Sequence, residues 1–276
     1  MGIERVGFIG VGNQGAPIAM RILQAGYPLT VWARRPETVT ELRAAGADIA
    51  ASIADLGAGC PMVAICVTTD ADVLDVTFAE GGLLPAMAAG STLAVHSTTH
   101  PNVVRRVAAA GAERGIAVLD APVSGGSAAA TAGTLAILVG GDPQTAERWR
   151  PVLATYSASA ERLGDIGAGQ LAKLVNNALS AIALATAIQA LDSAEALGLD
   201  RTAMARATMA SSGDSFMLRQ VPHVLAGNAT RAAPRYRKDL TLYQGVIDGS
   251  DSAGQALAAQ ADAAVAFLEG IASRVG

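Results

Sequence analysis

The side chain best suited to proton transfer in this sequence is a lysine, and the chain has two. Of its 20 basic residues, all but Lys173 and Lys238 are arginine. A lysine can lose its proton when burial or a neighbouring charge lowers its pKa, whereas an arginine effectively cannot. Lys173 and Asn177 are four residues apart, so a helix places them on one face. The pair suits a proton donor beside a substrate-orienting amide, and a capping or surface lysine with an asparagine of a helix bundle is the alternative.

A glycine-rich turn near the N-terminus has the spacing of a dinucleotide-binding loop. The run Gly10-Val11-Gly12-Asn13-Gln14-Gly15 follows an apolar segment and opens an amphipathic one. In G-x-G-x-x-G the first glycine permits a tight turn, the second lets the backbone approach a pyrophosphate, and the third allows close packing of helix on strand. The helix N-terminus then offers N–H groups and a partial positive charge to the phosphates. The sequence therefore predicts a nicotinamide dinucleotide site here.

Two arginines favour NADP over NAD. An NAD site usually has Asp or Glu at the end of the second strand, about 20 residues beyond the glycines, to hold the ribose 2′-hydroxyl. Here the segment reads Trp32-Ala33-Arg34-Arg35, with no acid. Arginine pairs with phosphate through two parallel hydrogen bonds, so a 2′-phosphate fits this position. Two solvated arginines at a strand end are the alternative, and NAD remains compatible with the glycine loop.

The elements that must position these residues alternate between strand and helix in the first part of the chain. Short β-branched runs predict buried parallel strands at 3–9, 28–32, 62–67, 91–95, 116–120 and 134–139. Amphipathic helices are predicted between them at 14–25, 37–45, 71–78, 103–114 and 143–153. This alternation predicts an α/β domain at residues 1–165, with a Rossmann-type doubly wound parallel sheet.

The rest of the chain has a helical composition. Residues 170–197 form a predicted helix of some 28 residues, about 42 Å long, which is too long for a crossover between strands. Further helices are predicted at 201–210, 216–225, 237–247 and 252–271. We therefore expect a second, all-helical domain at 166–276 joined through the long helix, with the chemistry in the cleft between the domains. Its alanine-rich helices predict a homodimer or homotetramer.

Composition excludes several classes of function. With 51% hydrophobic and 16% charged residues the chain is not intrinsically disordered. A net charge of −4 gives no basic surface for nucleic acid. Cys60 and Cys66 are too few for a disulfide framework, and the three histidines show no metal-ligand spacing. The uncharged run at 174–191 contains amides and hydroxyls, which favours a buried helix over a membrane span. A soluble, cytoplasmic protein without signal peptide, membrane or metal is expected.

Five motifs in order give the chain a resemblance to a known family. They are Phe8-Ile9-Gly10-Val11-Gly12-Asn13-Gln14-Gly15, Ser97-Thr98-Thr99-His100-Pro101, Asp120-Ala121-Pro122-Val123-Ser124-Gly125-Gly126, Gly167-Ala168-Gly169 followed by Lys173 and Asn177, and Lys238-Asp239-Leu240. With them the chain resembles the β-hydroxyacid dehydrogenase family, which includes 3-hydroxyisobutyrate dehydrogenase, tartronate semialdehyde reductase and glyoxylate/succinic semialdehyde reductases. Its nucleotide-binding domain is similar to that of 6-phosphogluconate dehydrogenase.

The resemblance implies reversible hydride transfer between NADP, or NAD, and a hydroxyl group β to a carboxylate, with Lys173 as general acid/base. It implies that Ser124, Gly125 and Gly126 bind the substrate carboxylate, with Asn177 and Asp239 beside the substrate. Besides the glycine loop and the two arginines, it implies cofactor contacts for Val67, Thr68, Thr98 and Lys238.

The chain departs from the family pattern at Val95, where an aspartate is usual, and at Val67-Thr68, where Leu-Pro is common. These differences bear on the substrate rather than on the reaction class. Two other functions fit part of the pattern. One is NADPH-dependent imine reduction, which the pairing of Lys173 with Asn177 disfavours. The other is a non-catalytic NADPH-binding module, in which Lys173, Ser124 and Lys238 have no chemical role.

Overall fold

A computed structural model describes residues 4–275, and the chain divides between Lys173 and Leu174 into two units. Residues 1–3 and 276 lie outside the described range. They stand at the ends of the two predicted domains, and residue 3 also begins the predicted strand at 3–9. The domain boundary at residue 165 remains a prediction of the sequence.

The first unit holds a mixed sheet and the helices that cover it. Its strands are β1 (Val6–Ile9), β2 (Leu29–Trp32), β3 (Asp48–Ile49), β4 (Met62–Ile65), β5 (Thr92–Val95), β6 (Ala117–Asp120), β7 (Val123–Ser124), β8 (Leu135–Gly140) and β9 (Ser157–Gly164). Its helices are α1 (Gly15–Gln24), α2 (Thr40–Ala44), α3 (Ile53–Gly59), α4 (Asp70–Phe78), α5 (Leu83–Ala86), α6 (Pro101–Ala112), α7 (Gly126–Ala132) and α8 (Pro143–Leu153). A 3₁₀ turn at Pro36–Val39 precedes α2.

The strand order of the sheet determines where a ligand can bind. The order is β3-β2-β1-β4-β5-β6-β8-β7, with β9 paired to β8. The strands from β3 to β6 are parallel. Successive strands move outward in one direction from β1 to β3 and in the other from β4 onward, so the order reverses at β1. In open α/β sheets, ligands bind beyond the carboxyl ends of the strands at this switch point. The loops after β1 and β4 lie there.

Side-chain alternation along the central strands builds one apolar core on each face of the sheet. Met62 and Ala64 of β4 belong to a cluster that includes Ile18 of α1, while Val63 and Ile65 belong to a cluster that includes Val104 of α6. A strand buried on both faces is apolar throughout, as the sequence pattern indicated. The predicted doubly wound sheet is thus confirmed.

The predicted direction of one strand is wrong. The segment at 134–139 was expected to be parallel, but β8 is antiparallel to β6 and β7. Asp120 pairs with Gly140 and Ser124 with Ala136, which is one continuous antiparallel register. The cause is the short connection through α7, which returns the chain as a long hairpin instead of a crossover. A buried apolar run does not by itself reveal strand direction.

A buried histidine connects the end of β5 with α8 and β9. His96 is 2% exposed, and its Nδ1 lies 2.7 Å from the Ala121 carbonyl oxygen. Its Nε2 lies 2.9 Å from the Tyr156 hydroxyl. A neutral ring satisfies both contacts, with Nδ1–H donating to Ala121 and Nε2 accepting from Tyr156. Burial lowers the pKa of His96 from 6.5 to about 4.

This histidine predicts acid lability. The unfolded chain takes up a proton at His96 below pH 6.5, whereas the folded chain does so only near pH 4, so stability falls as the pH falls between these values. Complete protonation removes about 3 kcal/mol of unfolding free energy. Urea titrations from pH 7 to pH 4 should show a shallower loss for His96→Gln than for the wild type. The exposed His223→Gln variant is the control and should keep the wild-type slope; equal slopes for all three proteins would contradict the prediction.

The second unit is helical. Its helices are α9 (Ala168–Ala196, whose first turns belong to the first unit), α10 (Arg201–Met209), α11 (Phe216–His223), α12 (Ala229–Gln244) and α13 (Ser252–Val275). A π-helical turn at Val224–Asn228 links α11 to α12. The described part of residues 174–275 contains no strand, and the long predicted helix is confirmed within two residues at each end.

Two apolar clusters hold these helices together. Leu184 and Ile188 of α9 pack with Leu218 of α11, and Leu174 of α9 packs in a second cluster with Tyr243 of α12. Arg237 of α12 forms ion pairs with Asp262 and Glu269 of α13. By length and composition alone α9 and α13 are each apolar enough to cross a membrane, and 44% and 28% of their most apolar windows are buried.

Candidate active site

The glycine loop after β1 combines tight packing at two of its glycines with open space at the third. Gly10 has a φ of +97°, and a Cβ there would overlap the Cys66 carbonyl oxygen. A Cβ on Gly15 would overlap the Gly10 carbonyl oxygen. A Cβ on Gly12 would meet nothing within 4 Å, so the backbone there borders open space. Gly10 and Gly15 are therefore required for packing, while Gly12 leaves room for a ligand.

The N-terminus of α1 suits an anion. In the described chain no side chain caps this terminus, and its first turn contains no acidic residue. Asn13 is exposed and Gln14 half-buried, both next to the free end of the helix. Backbone N–H groups and the helix dipole favour negative charge at such a position. The loop and helix together fit the pyrophosphate of a dinucleotide.

The two arginines follow β2 at the edge of this site. Arg34 is largely exposed, and its guanidinium lies 3.3 Å from Asp72 of α4. The Thr69 hydroxyl, with help from Arg34, lowers the pKa of Asp72, so this carboxylate stays charged. Arg35 is exposed as well. A phosphate at this edge would compete with Asp72 for Arg34.

Two further loops with predicted cofactor residues are joined to each other. The Val67 backbone N–H donates to the Ser97 hydroxyl at 2.8 Å. This bond holds the loop after β4, which carries Val67 and the exposed Thr68, against the loop after β5, which carries the half-buried Thr98. Three predicted cofactor residues are thus in adjoining loops beyond the carboxyl ends of β4 and β5.

The start of α9 is anchored by a buried carboxylate. Asp120, at the end of β6, accepts the backbone N–H groups of Gly167 and Gln170 at 2.7 Å each. Burial raises the pKa of Asp120, and these N–H groups oppose that rise. Gly140 and Gly169 make the approach possible, because a Cβ on either would overlap the neighbouring strand or Asp120 itself. The carboxylate therefore fixes the first turn of α9 on the sheet.

Lys173 lies one turn further along the same helix. The residue is 7% exposed, which is rare for lysine. Asn177 follows one turn later, as the sequence spacing predicted.

In the second unit, three predicted residues form one polar group. The Asn177 amide donates to Asp239 Oδ2 at 2.6 Å, and the Asn176 amide donates to Asn177 Oδ1 at 3.1 Å. Lys238 Nζ lies 3.5 Å from Asp239 Oδ1, an oxygen that receives no hydrogen bond from the described residues. Asp239 thus orients Asn177 and pairs with Lys238.

The predicted carboxylate-binding loop is the turn between β7 and α7. Gly125 and Gly126 both have positive φ, +127° and +73°, and follow the half-buried Ser124. This backbone conformation requires glycine at two successive positions. A Cβ on Gly126 would meet nothing within 4 Å, so its backbone borders open space.

Sequence reasoning assigned no role to Asp120, which lies in a quoted motif, or to Gln170, which directly follows Gly169. Gln170 is fully buried, and its side chain bonds to the backbone on both sides of Thr98. The available signal was its position one helical turn before Lys173. Arg219, an exposed arginine of α11, forms an ion pair with Asp214 at 2.6 Å. Among the described residues no group of three His, Cys, Asp or Glu side chains is placed to hold a metal.

Two family descriptions together match nearly the whole chain. Residues 5–167 match the NAD binding domain of 6-phosphogluconate dehydrogenase. Residues 167–271 match the family described as NAD-binding of NADP-dependent 3-hydroxyisobutyrate dehydrogenase.

Comparisons with individual proteins agree with these family matches. The chain is 38% identical over 216 residues to an NAD-dependent L-serine dehydrogenase of Pseudomonas aeruginosa, covering 78% of this chain and 72% of that one. It is similar in structure to Psf3 in complex with NADP⁺ and 2-OPP, with a TM-score of 0.88, 28% identity and coverage of 98% and 95%.

An imine reductase from a Pseudomonas species has a TM-score of 0.69, 21% identity and coverage of 97% and 93%. At that identity the likeness concerns the fold alone. The two family matches and the serine dehydrogenase, by contrast, agree with the order of motifs in the sequence. The chain therefore belongs to the β-hydroxyacid dehydrogenase family of NAD(P)-dependent oxidoreductases.

Proposed function

We propose that this chain catalyses reversible NADP-dependent hydride transfer on a small β-hydroxy acid or carboxylate-bearing aldehyde, with Lys173 as general acid/base. The observation that carries the proposal is the buried Lys173, one turn beyond the anchored start of α9. Lysine, unlike arginine, can release and take up a proton, as a general acid/base must.

Residues of the first unit, together with Lys238, bind the cofactor in this proposal. Gly10, Gly12 and Gly15, together with the N-terminus of α1, hold the dinucleotide pyrophosphate, with Asn13 and Gln14 beside it. Val67, Thr68, Thr98 and Lys238 contact the rest of the cofactor. When bound, the nicotinamide ring supplies or accepts the hydride.

Substrate binding and proton transfer complete the reaction. Ser124, Gly125 and Gly126 bind the substrate carboxylate through a hydroxyl and backbone N–H groups. Asn177, oriented by Asp239, holds the substrate near the reacting carbon. In oxidation the carbinol C–H electron pair leaves as hydride and the hydroxyl proton passes to neutral Lys173 Nζ; in reduction charged Lys173 returns it to the carbonyl oxygen.

The proposed preference for NADP rests on Arg34 and Arg35. Arg34→Ala should weaken NADPH binding roughly tenfold and change NADH binding little, because a charge-assisted bond to the 2′-phosphate is lost. Calorimetric titration with both cofactors measures this. Arg43→Ala, an exposed arginine of α2, is the control and should bind as the wild type does. An equal loss for NADH and NADPH would contradict the assignment.

The substrate class follows from the relatives and the proposed carboxylate loop. L-serine and 3-hydroxyisobutyrate both carry a hydroxyl β to a carboxylate, and the matched relative and family are named for them. The test is oxidation of NADPH and NADH with glyoxylate, succinic semialdehyde and tartronate semialdehyde, and the reverse reaction with the two hydroxy acids. Turnover of at least one compound, faster with the NADP form, supports the proposal. Turnover of cyclic imines alone would replace it with imine reduction.

We also infer that the chain associates with a second copy through α9. Leu171, Val175 and Leu179 follow one another at four-residue spacing and are 38%, 45% and 59% exposed. Exposed polar residues on α9 and α13, such as Gln189, Gln260 and Asp262, make a lipid environment unfavourable for these helices. A face of α9, about 44 Å by 10 Å, supplies roughly half of the 800 Å² per partner of a standard interface.

Sedimentation of the wild type at micromolar concentration should therefore show a dimer or tetramer, and Leu179→Glu should shift it towards monomer. Leu163→Glu, the same change at an exposed leucine of β9, is the control and should leave the association state unchanged. A monomeric wild type would contradict self-association. A cytoplasmic location is proposed as well, in keeping with two unpaired cysteines in a reducing compartment.

A further inference from the structure

The Gln170 side chain forms a clasp around one residue of the loop after β5. Its Oε1 accepts the Thr99 backbone N–H at 3.0 Å, and its Nε2 donates to the Ser97 carbonyl oxygen at 2.9 Å. These two groups flank Thr98 on either side. Gln170 is fully buried, so both bonds form away from competing water. The backbone of Thr98 is therefore fixed from both directions by one amide.

The clasp belongs to a continuous chain of hydrogen bonds in the first unit. At one end, the Val67 N–H donates to the Ser97 hydroxyl, and this bond connects the loop after β4 to the hydrogen-bonded chain. At the other end, the Gln170 backbone N–H donates to Asp120, which also holds the N–H of Gly167. Two loops that carry proposed cofactor residues are thus connected to the first turn of α9.

The same helical turn leads directly to the proposed acid/base. Lys173 follows Gln170 by three residues, a rise of about 4.5 Å along the helix. Because α9 is fixed on the sheet by Asp120, the clasp sets the distance between the Thr98 loop and the backbone that carries Lys173. Reaction rates depend on such distances, since small misplacements of reacting groups lower the rate strongly.

We propose that Gln170 is a positioning residue that fixes the cofactor-binding Thr98 loop relative to Lys173. It acts through Thr98 and the helix rather than on substrate or cofactor. The inference rests on the proposed function, because it takes Thr98 as a cofactor contact and Lys173 as the acid/base.

The test uses two variants that remove the clasp in steps. Gln170→Met keeps length and approximate volume but removes both hydrogen bonds. Gln170→Glu, when ionised, keeps an acceptor for Thr99 N–H and loses the donor to the Ser97 carbonyl. Gln189→Met is the matched control, since it makes the same chemical change at an exposed position of the same helix. Each protein is first shown to be folded at the assay temperature by circular dichroism and a thermal melt.

The readouts are the Kd for NADPH by calorimetry and the kinetic constants per folded molecule. Gln170→Met should raise the NADPH Kd on the order of tenfold and lower kcat, while the KM for the carboxylate substrate changes little. Gln170→Glu should lie between it and the wild type, and Gln189→Met should match the wild type. A merely structural role would lower the melting temperature and leave these constants unchanged below the transition.

The outcomes separate this inference from the function on which it rests. If the wild type binds NADPH and both Gln170 variants bind it with the wild-type Kd, the positioning role is wrong while the proposed cofactor site is retained. If the wild type binds neither NADPH nor NADH, the proposed function fails and this inference fails with it.

Discussion

Lys173→Ala is expected to lower kcat by roughly 10²- to 10⁴-fold, because proton transfer to and from the substrate oxygen would lose its general acid/base. This corresponds to about 3–5 kcal/mol of transition-state stabilisation. Cofactor affinity should be nearly unchanged, since the glycine loop and the loops after β4 and β5 do not depend on the Lys173 side chain. Steady-state kinetics together with calorimetric NADPH binding measure both effects.

Lys173→Arg is the informative companion variant. Arginine keeps the positive charge but does not release its proton at accessible pH, so the rate should remain low in both directions. Recovery of wild-type kcat in Lys173→Arg would show that charge alone is needed and would contradict proton transfer by Lys173. Lys238→Ala should differ from both, with a raised Kd for NADPH as the main change.

The second large effect concerns the glycine loop, where two substitutions of the same kind should act differently. Gly15→Ala places a methyl group against the Gly10 carbonyl oxygen, which is backbone and cannot move without displacing the loop. We expect a loss of about 3 kcal/mol or more in unfolding free energy, and a melting temperature lower by roughly 10 °C. Gly12→Ala meets nothing within 4 Å and should leave stability within about 0.5 kcal/mol of the wild type.

Measuring NADPH affinity in these variants distinguishes a glycine needed for packing from one needed for cofactor binding. Gly12→Ala should raise the NADPH Kd at least about tenfold despite normal stability, because its methyl group enters the space proposed for the pyrophosphate. Gly59→Ala, at the end of α3 with open space around its Cβ, is the control and should change neither quantity. Unchanged NADPH binding by Gly12→Ala would place the pyrophosphate elsewhere, and a stable Gly15→Ala would contradict the packing argument.

The central strands and the long helix were predictable because their patterns are strong. β1, β2, β4, β5 and β6 are largely apolar, and glycine or proline lies close to their ends. The start of α1 was predictable because three glycines at fixed spacing satisfy both packing and the helix terminus. The direction of β8 was not predictable, since an apolar run has the same pattern in either direction. The exposed β9, with residues such as Glu161 and Arg162, lacks a core-facing pattern altogether.

The proposed site was predictable in its residue types but not in its connections. Spacing alone put Lys173 and Asn177 on one helix face, whereas the contact between Asn177 and Asp239 joins residues 62 positions apart. Asp120 at the end of a predicted strand gave no indication that it caps α9. Gln170 resembled an ordinary helix residue, and its clasp around Thr98 depends on how β5 and α9 meet in space. Such long-range hydrogen bonds have no local sequence signal.

The most direct test of the account follows the hydride itself. NADPH carrying deuterium at the transferable position of its nicotinamide ring is incubated with each aldehyde, and the product is analysed by mass spectrometry. The wild type should give a hydroxy acid with one deuterium per molecule, formed roughly 10²- to 10⁴-fold more slowly by Lys173→Ala. Formation of the deuterated product at equal rates by both proteins would contradict the role of Lys173. Absence of deuterium from every product would contradict hydride transfer as the reaction.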